Sequence, residues 1–273
     1  MAFLKNKKYT YIAPMLVGMI MFPHAALAAN DEAIQPVEKS LETLVTIRDD
    51  DSLPQAEKEQ KELEARKAVL KEALSLSLQE TKDLITRLEE LSFAADSKEA
   101  GMKDAFIGAL RSYAAYYEQQ ISKVDSAASS SEVKAMAQEV RSYRETIHNP
   151  NIQRIVDFVL VFRNESILSV ARTRHTKISG DIKKLEKRGF IDQGAFDEKL
   201  AEARLDIDEA AALYTNARQL VLADQTGSET EGEEGEKKAT ARETIGASFD
   251  KIKGAYTIFL GISKDVRAIL GLE

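Results

Sequence analysis

The chain has no cysteine and no tryptophan, and only five of its 273 residues are proline. Without cysteine there is no disulfide, no thiolate nucleophile and no thiolate metal ligand, so burial alone must stabilise the fold. Scarce proline leaves long stretches without a backbone break, and two of the five, Pro14 and Pro23, lie near the N-terminus. Histidine is scarce as well, with three in all, and one of them, His24, is also N-terminal. Positive charge is in deficit, with 38 Lys and Arg against 45 Asp and Glu. A surface of that sign does not suit nucleic acid phosphates or anionic lipid.

The N-terminus reads as a secretory signal peptide over residues 1–28. Lys5, Lys7 and Lys8 precede a short apolar run from Ile12 to Phe22, and Ala26-Leu27-Ala28 offers the small-x-small site of a signal peptidase. The run falls short of the roughly 20 apolar residues that span a bilayer, although retention as an anchor is the alternative reading. No cysteine follows for lipid attachment and no twin arginine precedes, which points to general secretion from a bacterial cell. Cleavage after Ala28 leaves 35 basic residues against 45 acidic ones, a net charge of −10 over 245 residues. The expected location is the periplasm or the medium, with no strong membrane association once the peptide is removed.

What remains is rich in Ala, Leu, Glu and Lys, the strong helix formers. The fold class is all-α: long amphipathic helices in antiparallel coiled-coil hairpins or an elongated bundle, about six to seven helices. Apolar spacing predicts a short helix over Pro36–Ile47, then one close to forty residues long ending near Phe93. Ser52 with Gln55 resembles a capping box for the second. Leu63, Leu70, Leu74, Leu84, Leu88 and Leu91 form its seam. Asp96 with Glu99 is the expected cap of a third helix whose stripe is Phe106, Leu110, Tyr113, Tyr117, Ile121 and Val124. The Ser- and Ala-rich stretch 126–131 separates it from a shorter helix, Glu132–His148, which Asn149-Pro150 is expected to end. Two regions result, 29–149 and 150–273.

The second region opens with the most apolar segment of the chain beyond residue 28, Ile155–Phe162, expected to be buried. Leu168, Ala171, His175, Ile178, Ile182 and Leu185 then keep a three–four spacing. After a glycine-bearing turn near Ile191, Phe196, Leu200, Ala203, Ile207, Ala210, Tyr214, Ala217 and Val221 keep the same one. Matching seams across a short connection predict an antiparallel hairpin, with Ile182 opposite Leu200, His175 opposite Ile207 and Leu168 opposite Tyr214. Residues 224–238 are acidic and glycine-bearing and read as a mobile linker. Thr240 with Glu243 caps a last helix, whose face is Ile245, Phe249, Ile252, Tyr256, Phe259, Val266 and Leu270. Folded back, it makes the hairpin a three-helix bundle.

Chemical motifs are thin. Glu145-x-x-His148 matches one ligand pair of a di-iron bundle, but such a centre needs a second pair and two more glutamates. His175 has Arg172, not Glu, three residues before it. His148 is therefore read as a helix-end residue bonding terminal carbonyls, and His175 as a polar register residue in a coiled-coil seam or a pH-sensitive switch. The sequence has no nucleophile elbow, phosphate loop or calcium-loop spacing, and the sequon Asn164-Glu165-Ser166 falls inside a predicted helix. Tyr113, Tyr116, Tyr117 and Tyr143 are the one aromatic concentration, read mainly as core, with Tyr116 off the stripe and able to face a partner. No catalytic, cofactor or metal residue is assigned, no cofactor is expected, and the binding residues stay open. The expected function is an exported, non-enzymatic helical scaffold or protein-binding module whose partner is a protein, with a homo-oligomer left open. The alternative is a carrier that shields an apolar ligand along Ile155–Phe162, between the hairpin and the N-terminal helices.

Overall fold

A computed structural model describes residues 31–192, 194–223 and 239–272. The expected signal peptide and the whole acidic linker, residues 224–238, lie outside them. Among the described residues every regular element is a helix: α1 (Asp31–Asp49), α2 (Gln55–Glu89), α3 (Lys98–Ser126), α4 (Ser130–Tyr143), a π-helical turn (Arg144–His148), α5 (Asn149–Lys187), α6 (Asp197–Ala223) and α7 (Ala241–Ile269). None of these is long and apolar enough to cross a membrane. The chain divides into two compact units, one running to Gln153 and the other starting at Arg154.

In the first unit α2 and α3 form an antiparallel hairpin, and α1 and α4 pack on α2. The pairs Lys71–Asp125, Lys82–Glu118 and Arg111–Glu89, at 2.7, 3.0 and 3.5 Å, fix the opposed directions of the two long helices. Leu70, Leu74, Leu84, Leu88 and Leu91 of the predicted seam are buried, and Leu63 is half-buried. Each buried leucine contributes about 1.5–3 kcal/mol. Polar Ser77 and Thr81 occupy the seam where its leucines lapse, each returning a hydrogen bond to the carbonyl four residues earlier.

Several local expectations are corrected. Helix α1 starts at Asp31, so Pro36 lies inside it as its sixth residue rather than at its start. The capping box at Ser52 and Gln55 does not form. Asp50 Oδ1 accepts from both the amide and the hydroxyl of Ser52, and Pro54 occupies the N-cap position instead. Ser97, rather than Asp96, caps α3, its hydroxyl accepting from the Ala100 amide at 3.1 Å. Leu110, Tyr113, Tyr117 and Val124 of the expected α3 stripe are buried, but Phe106 and Ile121 are only half-buried, and Met102 and Ile107 join the inward face instead.

The largest correction falls at Asn149-Pro150, which does not end a helix. Asn149 keeps helical dihedrals, and its amide donates to the Arg144 carbonyl five residues back. Pro150 has no amide, and its ring crowds the carbonyl four residues before it, so an α-helix there would lose a bond and clash. Widening the preceding turn to π geometry absorbs both faults.

The second unit is a three-helix bundle, as expected. Gly189, at φ 70°, closes α5: its amide donates to Glu186 and that of Phe190 to Leu185, the paired bonds of a Schellman end. Ile191 is buried beyond it in a cluster with Ile182, Phe196, Leu200 and Ile262. The predicted facing of Ile182 and Leu200 is therefore present. A second cluster joins Leu168 and Ala171 of α5, Ala203, Ile207 and Ala210 of α6, and Ile252, Ala255 and Phe259 of α7, with Tyr214 packed at its edge. Thr240 and Glu243 form the predicted capping box of α7. Alanines and Gly254 bring the axes close: a Cβ at Gly254 would lie 2.6 Å from Asp206 Oδ2.

Candidate functional site

Two places hold side chains that the packing alone does not explain. One is a buried polar and aromatic cluster in the first unit, and the other is an apolar trough on the second.

The cluster is built around the π turn. The wider turn points both Arg144 and His148 inward, where they are 6% and 4% exposed. Arg144 Nη1 donates to Ser77 Oγ at 3.1 Å, and Ser77 Oγ donates to the Ala73 carbonyl at 3.0 Å. The His148 ring lies 5.3 Å from that of Tyr113 and 5.4 Å from that of Tyr117, edge-on to both. Its Nδ1 is 3.3 Å from Asn149 Oδ1, and its Nε2 has no hydrogen-bond partner among the described residues. It is not the helix-end residue expected from the sequence, because the helix does not end there. Tyr116 stacks on Tyr143 at 3.7 Å, so the off-stripe tyrosine is committed to a ring inside the unit. The Tyr117 hydroxyl and Gln120 Oε1 are also buried without a partner among the described residues.

Charge follows from this burial. Desolvation pushes the His148 imidazole down to about 4, and the Arg144 guanidinium adds to that by repulsion. Burial raises the Glu80 carboxyl to about 7 despite the attraction of Arg144. Burial likewise raises the hydroxyls of Tyr116 and Tyr143 to about 12, and that of Tyr117 further. Ser77 Oγ is turned to a backbone carbonyl rather than to the imidazole.

Glu145, the other half of the Glu-x-x-His motif, points to solvent and pairs with Arg141 at 2.8 Å. Among the described residues no three of His, Asp and Glu gather to hold a metal ion. His175 is partly exposed and puts Nε2 3.0 Å from the Leu200 carbonyl. That contact is seven residues, about two turns, from Ile207, which it was expected to face. Asn164 of the sequon is fully buried.

On the second unit, α5 and α7 run parallel and leave a trough on the side away from α6. It holds about 610 Å³ and is floored by Ile178, Ile182, Leu185, Tyr256, Phe259 and Val266. Leu260 stands on its wall at 72% exposure, and Val170 lies farther along α5 at 57%. Arg174 and Arg267 flank it, the Arg174 guanidinium resting 5.2 Å from the centre of the Tyr256 ring. The sequence carried a signal for this face. Leu260 falls outside the inward series of α7, and Val170 outside that of α5, and a single-stripe reading passes over both.

No family model, no curated protein and no solved structure matches the chain.

Proposed function

We propose that this chain is an exported, non-enzymatic helical module of the bacterial cell envelope that binds another protein. The trough between α5 and α7 is the observation that supports the reading most. Leu260, at 72% exposure beside the apolar floor of the trough, gives another chain an apolar surface to cover. The acidic balance of the chain and the lysine-led apolar run at residues 1–28 support export and argue against a nucleic acid partner. The buried cluster of the first unit serves as a polar knot that fixes how α2, α3 and the π turn fit together.

The reading is tested by fractionating cells and determining the mass of the chain. Envelope or medium location with an N-terminus at Ala29, and one reproducible protein adduct after crosslinking in the native envelope, are the expected results. A cytoplasmic chain that retains residues 1–28 contradicts it.

A further inference from the structure

We infer that the α5–α7 trough takes an amphipathic helix with an apolar stripe and acidic flanks, seated as the fourth helix of the second unit. The inference rests on the protein-binding reading and names the partner's chemistry.

Three observations carry it. The first is periodicity. Val170, Arg174, Ile178, Asp181 and Leu185 recur every three or four residues on α5, and Tyr256, Leu260, Ser263 and Arg267 do so on α7; Ile178, Leu185 and Tyr256 also pack on the core, whereas Val170 and Leu260 lie outside the inward series. A row at this spacing, part apolar and part charged, can be followed by a docked helix along its length. The α5 stripe spans about 22 Å, or roughly four turns of a docked helix.

The second is shape. The trough is open to solvent, and α5 and α7 wall it on two sides, from Arg174 to Leu185 and from Tyr256 to Arg267. A helix covers such a channel along its length, with alternate turns entering it as knobs.

The third is charge. In a chain whose net charge is −7, the trough is flanked by Arg174 and Arg267, and Lys177 lines an adjoining hollow along α5. Asp181 is the one acid among the lining residues, and Lys184 already holds it at 2.9 Å. Neither Arg174 nor Arg267 is within ion-pair distance of a carboxylate among the described residues. Cations left available beside an apolar floor on an acidic protein select a partner with acidic flanks.

The test uses the full chain and three probes. These are an 18-residue helical peptide with a leucine stripe and glutamate flanks, its lysine-flanked counterpart, and phosphatidylglycerol vesicles. Anisotropy of the labelled peptides is expected to show saturable binding of the acidic one, at least about tenfold tighter than its counterpart. Leu260→Asp should weaken that binding by about tenfold or more while leaving the helical circular dichroism unchanged, because Leu260 is exposed. Arg174→Glu combined with Arg267→Glu should invert the preference between the peptides. Equal binding of both peptides, binding of neither, or binding indifferent to Leu260→Asp overturns the inference. Vesicle binding abolished by Leu260→Asp reassigns the trough to lipid, and a dimer dispersed by it reassigns the trough to a second copy. A specific envelope adduct that persists in Leu260→Asp would leave the protein-binding reading standing while this inference fails.

Discussion

Asn164 and Ser248 join α5 to α7 through a buried hydrogen bond of 2.8 Å, and the Ser248 hydroxyl in turn donates to the Ala210 carbonyl of α6 at 2.9 Å. One chain of bonds thus crosses all three helices of the second unit at a single level. Asn164 Oδ1 has no partner among the described residues, so the chain is incompletely satisfied. Such a polar rung selects one register among several that an apolar seam allows. Ser248→Ala should cost about 1–3 kcal/mol by leaving the Asn164 amide unpaired in a dry core. Asn164→Leu should be neutral or stabilising, yet multiply the amide peaks of the unit as registers compete. Urea titration and a two-dimensional NMR spectrum distinguish these outcomes, and equal losses in both variants would contradict the register role.

The first unit holds two titrations of opposite sign. His148 is held neutral in the fold, at about 4 against an ordinary 6.5, so its share of stability is lost as pH falls through that interval. Glu80 keeps its proton in the fold, at about 7 against an ordinary 4.5, so its share is present at low pH and lost as pH rises through that interval. Between about 4.5 and 6.5 the two offset each other. Relative to the unaltered chain, Glu80→Gln should make the urea midpoint climb with pH over this window, and His148→Gln should make it fall. Parallel profiles in all three proteins would refute the assignment.

Tyr117 buries a hydroxyl that finds no partner among the described residues. Tyr117→Phe keeps the ring contacts with His148 and Tyr143 while removing that polar atom. A gain of about 1 kcal/mol is expected, where truncating a buried aromatic would cost about 3–5 kcal/mol. Thermal unfolding decides, and a loss above about 1 kcal/mol would mean the hydroxyl is engaged.

Pro150, with no amide to donate, favours the π turn before it. Pro150→Ala restores an amide that can donate to the Thr146 carbonyl, so the turn should tighten to α geometry and rotate His148 away from Tyr113 and Tyr117. The His148 titration followed by NMR should then move from about 4 toward 6.5. An unmoved midpoint would show that packing, not the proline, holds the turn open.

The hairpin, the bundle and the Thr240 cap were legible in the sequence because each follows from spacing within one or two helices. The continuation through Asn149-Pro150 is not legible in the sequence, since proline signals a helix end unless a π turn relieves it, and that relief depends on what Arg144 and His148 gain by pointing inward. Ser77 and Thr81 marked the buried cluster as a lapse in a leucine seam, but its partners come from α3 and the π turn, more than thirty residues away along the chain. Leu260 was overlooked for a different reason: a helix that carries two stripes looks, to a search for one, like a helix with a stray leucine.

The claim that the chain works by presenting helices to a protein is tested most directly by a photo-crosslinking residue at position 260, introduced in the native envelope. Position 204 on α6, where exposed Arg204 pairs with Asp208, serves as the control. The account predicts one discrete protein adduct from position 260 and none from position 204. Lipid adducts alone, or equal and diffuse labelling from both positions, would contradict it.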